Sequence, residues 1–260
     1  MVCTIVEKRQ PEPKPAVSVC VESGVGQLVV QEIRRGFWRW SAPHPDWKPE
    51  KGGPGGWEQM VGALYYETPE AVVLFDPLAP RAGTADHDRF FAALDADVER
   101  LGLAVAILLG NHYHVRSARE LYERYVGGPG ASVWAHEAAR VDCPVTHPLL
   151  DGGVVPGGIR AFSLTGLNPD EMAFHVPEHR AVVVADSILG AGGGKLRVAP
   201  ASWAEPGEEG QSRYRARFRG ELRRLADLPL DMILVSHGEP VLENGGAALA
   251  AALDAPAWGE

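Results

Sequence analysis

Four apolar runs in this chain, AVVLF, AVAILLGN, AVVVA and MILVS, each lead into an ionisable residue: Asp76, His112, Asp186 and His237. Short apolar runs of this length read as buried strands. In open α/β sheets, functional groups gather beyond the carboxyl ends of the strands, so the pattern brings four chemically active side chains toward one edge.

The rest of the chain supplies the layers around those strands. LVVQEI (28–33), FWRW (37–40), ALYYE (63–67) and AVVLFD (71–76) read as strands, making the first half rich in β structure. Phe90, Phe91, Leu94, Val98 and Leu101 recur at helical spacing over 86–101, and LAVAILL (103–109) follows as a strand. Alternation continues with a helix over 117–126, a strand at 132–135 and further strands between 159 and 186. A long helix over 211–226, a strand over 231–236 and an Ala-rich helix over 245–253 complete the chain. Two halves, each β-then-α, predict two sheets packed face to face with helices outside. Residues 1–26, with alternating Pro11, Pro13 and Pro15, read as a loosely attached arm, and 27–260 as a single domain.

Composition removes several classes of function. With 45% hydrophobic and 23% charged residues the chain can bury a core. Its net charge of −9, with both signs mixed, disfavours a nucleic-acid partner. No apolar run approaches the roughly 20 residues that cross a bilayer. Charged residues at Glu7 to Arg9 stand where a signal peptide needs its apolar stretch, which predicts a cytoplasmic protein. Cys3, Cys20 and Cys143 are odd in number and widely spaced, fitting neither a disulfide framework nor a thiolate zinc site. GAGGGK (190–195) is followed by Leu196 and lacks the first glycine of a phosphate loop, and no GxSxG is present.

The polar groups at the strand ends are the main functional signal, and metal ligation is a chemistry they suit. His112 and His114 lie two residues apart, which in an extended segment sends both rings to one side, where two imidazoles can grip one ion. Asp186 offers a carboxylate and His237 another imidazole. A glycine-rich stretch, 36–57, carries Trp38, Trp40, Trp47 and Trp57. It reads either as a binding loop over the pocket or as a hairpin whose tryptophans pack on the sheet. His44 lies in it with no direction set by sequence, and His87, His136, His147, His175 and His179 read as structural or surface residues.

VLFDPLAP (73–80), ILLGNHYHVRSARELYERY (107–125), VWAHEAAR (133–140), VVVADSIL (182–189) and ILVSHGEPV (233–241) together resemble the metallo-β-lactamase fold superfamily, over nearly all of 27–252. That resemblance implies an α+β fold, a four-layer αββα sandwich, with a zinc or iron centre on one edge that activates water for hydrolysis. It would put His112 and His114 on a first metal, Asp186 between two metals and His237 on a second. Two departures reduce the site. The family's histidine motif continues with Asp and His, where this chain has Arg116 and Ser117, and a further family histidine is replaced by Leu167 in Gly166-Leu167-Asn168-Pro169.

Ser117 and Glu120 read as a Ser-x-x-Glu capping box for the helix over 117–126. Arg116 then sits at a helix N-terminus, where a cation needs an acidic partner, and Asp186 is the expected one, through a bidentate contact that takes the place of the second metal. Two functions stay open. In one, a hydrolase holds at most one zinc or iron ion on His112, His114, Asp186 and His237, with Asp186, His237 and Arg116 as its catalytic groups, and cleaves an ester, thioester or amide of a small molecule. In the other, a metal-free, non-catalytic protein binds a small molecule while Arg116 replaces the metal charge.

Overall fold

A computed structural model describes residues 28–53, 56–139 and 141–257. The proposed arm over 1–26 lies outside these residues.

Two sheets form the centre. The first runs β1 (Val29–Arg34), β2 (Phe37–Pro43), β3 (Met60–Glu67), β4 (Val72–Phe75), β5 (Val105–Leu108), β6 (Ala131–His136) and β7 (His147–Leu149), in that spatial order. Its first three pairings are antiparallel and its last three parallel. The second contains β8 (Val154–Val155), β9 (Ile159–Ser163), β10 (Met172–Val176) and β11 (Ala181–Val184), with a separate ribbon of β12 (Ile188–Gly192) and β13 (Lys195–Val198). β14 (Met232–Val235) completes it at the far edge, parallel to β11.

Period-two alternation explains how the strands serve two cores at once. In β4, Val73 and Phe75 face the second sheet with Phe174, Val183 and Leu234. Val72 and Leu74 face outward onto α1 (Ala85–Leu101) and α2 (Ala118–Tyr125), meeting Phe91, Leu94 and Leu121. On the far side, Val182, Val184 and Ile233 meet Phe218, between α3 (Glu208–Arg213) and α4 (Arg219–Ala226), Leu222 of α4 and Leu249 of α5 (Gly245–Asp254). The result is the expected αββα order, built because every central strand must cover two apolar faces. No helix among the described residues is long and apolar enough to cross a membrane.

The predicted helix over 211–226 starts earlier, at Glu208, and contains a π-helical turn, Tyr214–Phe218, between α3 and α4. This wider turn brings Tyr214 and Phe218 into ring contact, centroids 4.8 Å apart, and both are buried. Trp40 follows the hairpin reading: it is buried against α1, its indole N–H donating to Leu78 O at 2.8 Å. Trp57 packs on the first sheet too, against Ala42 and Val61, and also reaches the edge described below.

Beyond β14 the chain is clamped from two sides. Gly62 N donates to Ser236 O at 2.7 Å and Gly190 N to His237 O at 2.9 Å. A Cβ on Gly190 would lie 2.0 Å from Glu239 O, so the approach depends on glycine. Gly190→Ala is expected to destabilise the protein by about 1 to 3 kcal/mol through forced backbone movement, measured by urea denaturation.

Candidate metal centre

The ends of β4, β5, β11 and β14 converge as their register requires. Val184 pairs with Val235, so Asp186 and His237, two residues further on, emerge side by side. Phe75 pairs with Leu108, which places Asp76 level with Leu109 and its carboxylate within reach of Gly110 N, which donates to Oδ1 at 2.6 Å. A Cβ on Gly110 would meet that of Ala185 at 2.5 Å and Asp76 Oδ2 at 2.8 Å; the absent side chain lets the two sheets close on this edge.

His114, Asp186 and His237 are all buried, and each offers one donor atom within 4.8 Å of the others. Asp186 Oδ1 is shared: it lies 3.2 Å from His114 Nε2 and 3.0 Å from His237 Nε2. His114 Nδ1 donates to Asp76 Oδ2 at 2.7 Å, leaving Nε2 to face the group. Such a carboxylate–histidine contact sets ring orientation and tautomer at metal sites. Asp186 Oδ2 accepts from Asn111 Nδ2 at 2.8 Å.

His112 is not part of the group. The expectation of an extended segment fails because Asn111 caps a 3₁₀ turn, His112–His114, its side chain accepting from Tyr113 N at 2.9 Å. At three residues per turn, side chains two apart point about 240° around the axis from each other, not to one side. Asp170 takes both the His112 amide, at 2.7 Å, and its Nδ1, at 2.8 Å.

Arg116 also departs from expectation. Its backbone is left-handed, φ 41°, and its guanidinium donates from Nη1 to Asp76 O at 2.9 Å and Gly62 O at 3.2 Å. The expected bidentate pair with Asp186 is absent among the described contacts, since two backbone carbonyls hold the guanidinium and His114 and His237 occupy Asp186 Oδ1. Arg116 Nη2 lies 3.2 Å from His114 Nε2 instead. Nor is Ser117 a capping-box residue: it is the N-cap of α2 but makes no side-chain cap bond, and its Oγ accepts from Ala79 N at 2.9 Å. Leu167 is fully buried in the core beneath the α3–α5 layer.

Electrostatics follow from this packing. Burial and the Arg116 guanidinium oppose a charge on His114, but Asp76 and Asp186 outweigh them and hold its pKa up at about 9. A ring protonated on both nitrogens cannot accept from Arg116, so the Nη2 contact is a hydrogen bond only when Nε2 is bare. Burial lowers the pKa of His237 despite Asp186. Asp186 is held well below the usual carboxylate range: burial opposes this, and His114 and His237 prevail. Sequence reasoning missed Glu171, which is fully buried and whose carboxyl is pushed up to about 7 by burial and Asp186.

A cavity of about 440 Å³ opens over these groups, its walls including Trp57, Trp203, Tyr113, His44 and Lys51. Trp57 and Trp203 both stand edge-on to His237, with centroids at 5.5 Å. His44 reaches this cavity; its Nδ1 accepts from Asp46 N at 3.2 Å, and burial followed by Arg116 lowers its pKa to about 4.

A sandwich of two sheets between helices is also the architecture of solved structures. A metallo-β-lactamase family protein from Thermus thermophilus is 19% identical, with a TM-score of 0.55 over 85% of this chain and 79% of that one. A metallo-β-lactamase from Pontibacter korlensis is 14% identical, with a TM-score of 0.59 over 88% of this chain and 100% of its own. The enzyme FIM-1 from Pseudomonas aeruginosa, solved in a mono-zinc form, is 14% identical at a TM-score of 0.56, over 88% and 95% of the two chains. No protein-family model matches the sequence, and no curated protein is significantly similar to it. This chain therefore has the metallo-β-lactamase fold.

Proposed function

We propose that this protein is a cytoplasmic hydrolase that binds one zinc or ferrous ion through His114 Nε2, Asp186 Oδ1 and His237 Nε2 and cleaves an ester, thioester or amide of a small molecule. The observation that carries this reading is the donor spacing. Two donors about 2.0 to 2.1 Å from a tetrahedral ion lie roughly 3.3 Å apart, close to the 3.2 and 3.0 Å from Asp186 Oδ1 to the two imidazoles. Three protein ligands leave one position open, as in catalytic zinc sites. FIM-1, which shares the fold, has itself been solved with a single zinc.

An ion held there would supply Lewis acidity for hydrolysis. The chain's own residues do the rest. Asp76 keeps the His114 Nε2 lone pair directed at the cluster, and Asn111 holds the second oxygen of Asp186 away from it. Arg116 places a permanent positive charge beside the cluster, where an oxyanion developing on the substrate is stabilised. Trp57, Trp203 and Tyr113 give the cavity apolar walls that favour a small organic substrate.

Metal binding should depend on pH with a definite sign. Below about 9 the metal-free His114 carries a proton on Nε2 that an ion must displace, whereas His237, with a lowered pKa, is already neutral. Co²⁺ affinity is therefore expected to rise roughly tenfold per pH unit from about pH 7 to about pH 9, with one proton released per ion. Calorimetric titration in buffers of different ionisation enthalpy measures both.

A second reading, a metal-free small-molecule-binding protein, rests on the Arg116 guanidinium, fixed by two carbonyls 3.2 Å from His114 Nε2. Elemental analysis of protein purified without added metal decides between them: one equivalent of a transition metal supports the hydrolase, and none after incubation with Zn²⁺ and Fe²⁺ supports the binding protein.

A further inference from the structure

Glu171 does not itself line the cavity, yet among the described residues it collects more hydrogen bonds than any other side chain near the cluster. Its Oε1 accepts from Asp186 N at 2.9 Å, Ser187 N at 2.9 Å and Ser187 Oγ at 2.7 Å. Its Oε2 accepts from Asn111 Nδ2 at 2.7 Å and Asn168 Nδ2 at 3.3 Å. Every partner is a donor, so only an acceptor at both oxygens satisfies them. Asn111 is fixed at its other end as well: Oδ1 accepts from Tyr113 N, and the remaining Nδ2 hydrogen reaches Asp186 Oδ2 at 2.8 Å.

We infer that Glu171 is the positioning residue of this site: it holds the Asp186 backbone directly and the Asp186 carboxylate through Asn111, so that Oδ1 alone faces His114 and His237. The inference rests on the metal site proposed above for its consequence, and on hydrogen bonds alone for its geometry. Glutamine at 171 keeps the size of the side chain but only one of its two acceptor oxygens. Three donors hold the amide oxygen at the Oε1 position, which turns the NH₂ group against that of Asn111, while Asn168, whose Oδ1 has no partner among the described residues, can turn to accept. Asn111 cannot flip to accept, because its oxygen would then leave Tyr113 N and face Asp186 Oδ2. The Asn111–Asp186 bond is lost and the carboxylate is free to rotate.

The test compares wild type, Glu171→Gln, Asn111→Ala and the double variant by two measurements. In competition with a chromophoric chelator, Glu171→Gln and Asn111→Ala should each weaken Co²⁺ binding about 10- to 100-fold, as loss of partners behind metal ligands does. The double variant should be little worse than the weaker single variant, because both act on one path. In metal-free protein, NMR signals of the His114 and His237 Nε2 protons bonded to Asp186 should shift or broaden in each variant, while the Trp40 indole proton, bonded to Leu78 O, stays in place as a control of the fold. Unchanged ring protons in Asn111→Ala and Glu171→Gln, or a loss of thermal stability alone, would overturn the positioning role. A wild type that binds no Co²⁺ overturns the metal reading by itself, and the ring protons then decide the role of Glu171.

Discussion

Replacing Asp186 with asparagine is expected to weaken Co²⁺ or Zn²⁺ binding by more than the roughly 10- to 100-fold that loss of an outer partner causes. Asp186 supplies the only carboxylate of the three-residue group, and its Oδ1 is the atom that both imidazoles approach. A neutral amide removes the charge that offsets a divalent cation. The same substitution should also harm metal-free protein. His114, with its pKa at about 9, carries a charge at neutral pH that Asp186 and Asp76 share, and breaking a buried pair from one side typically costs about 3 to 5 kcal/mol. For a chain of this size that corresponds to about 6 to 20 °C in Tm. Metal titration and calorimetry read the two effects separately, and an Asp186→Asn protein that holds Co²⁺ as tightly as wild type would exclude Asp186 from the ligand set.

Asp76→Ala should have the second largest effect, although Asp76 faces no ligand. Its Oδ1 accepts from Gly110 N at 2.6 Å and its Oδ2 from His114 Nδ1 at 2.7 Å, with the residue 2% exposed. Alanine leaves both buried donors without an acceptor and an imidazolium without its nearest counter-charge, a loss of about 3 to 5 kcal/mol. The backbone adds to this. Asp76 has φ 48°, a left-handed conformation that aspartate and asparagine tolerate and that costs alanine about 1 to 2 kcal/mol. Asp76→Asn keeps that tolerance and one carbonyl oxygen, so it should fall between wild type and alanine in urea denaturation. Co²⁺ binding should weaken in both, because the His114 ring loses the contact that orients Nε2. Equal stability of the alanine variant and wild type would show that the Asp76–His114 contact contributes nothing to the fold.

Much of this architecture is visible in the amino-acid order. AVVLF, AVAILL, AVVVA and MILVS are β4, β5, β11 and β14, and the heptad-like spacing of Phe91, Leu94 and Val98 is the buried face of α1. Asp186 and His237 lie where a residue just past a buried strand must lie. The segment from Asn111 to Ser117 is where local reasoning failed. Read alone, Asn-His-Tyr-His continues a strand, and Ser117 with Glu120 caps a helix. In the structure Asn111 turns the chain at once, which separates His112 from His114, and Ser117 binds the loop after β4 instead of its own helix. Glu171 carried no sequence signal beyond its acidic neighbour Asp170. Its role exists only because Asn111, 60 residues earlier, and Ser187, 16 later, fold around it.

The sequence by itself determined the layers and the edge: apolar runs with polar ends can be buried on two faces only between helices, and their ends must then share one rim. Tertiary structure decided which of the rim's side chains meet. A buried carboxylate or imidazole is held where hydrogen bonds satisfy it, and the contacts of Asp186 with Asn111, His114 and Glu171 span 75, 72 and 15 residues of chain. Spacing along the sequence therefore could not say that His114 turns inward while His112 turns to Asp170, because that choice belongs to contacts formed only when the two sheets close.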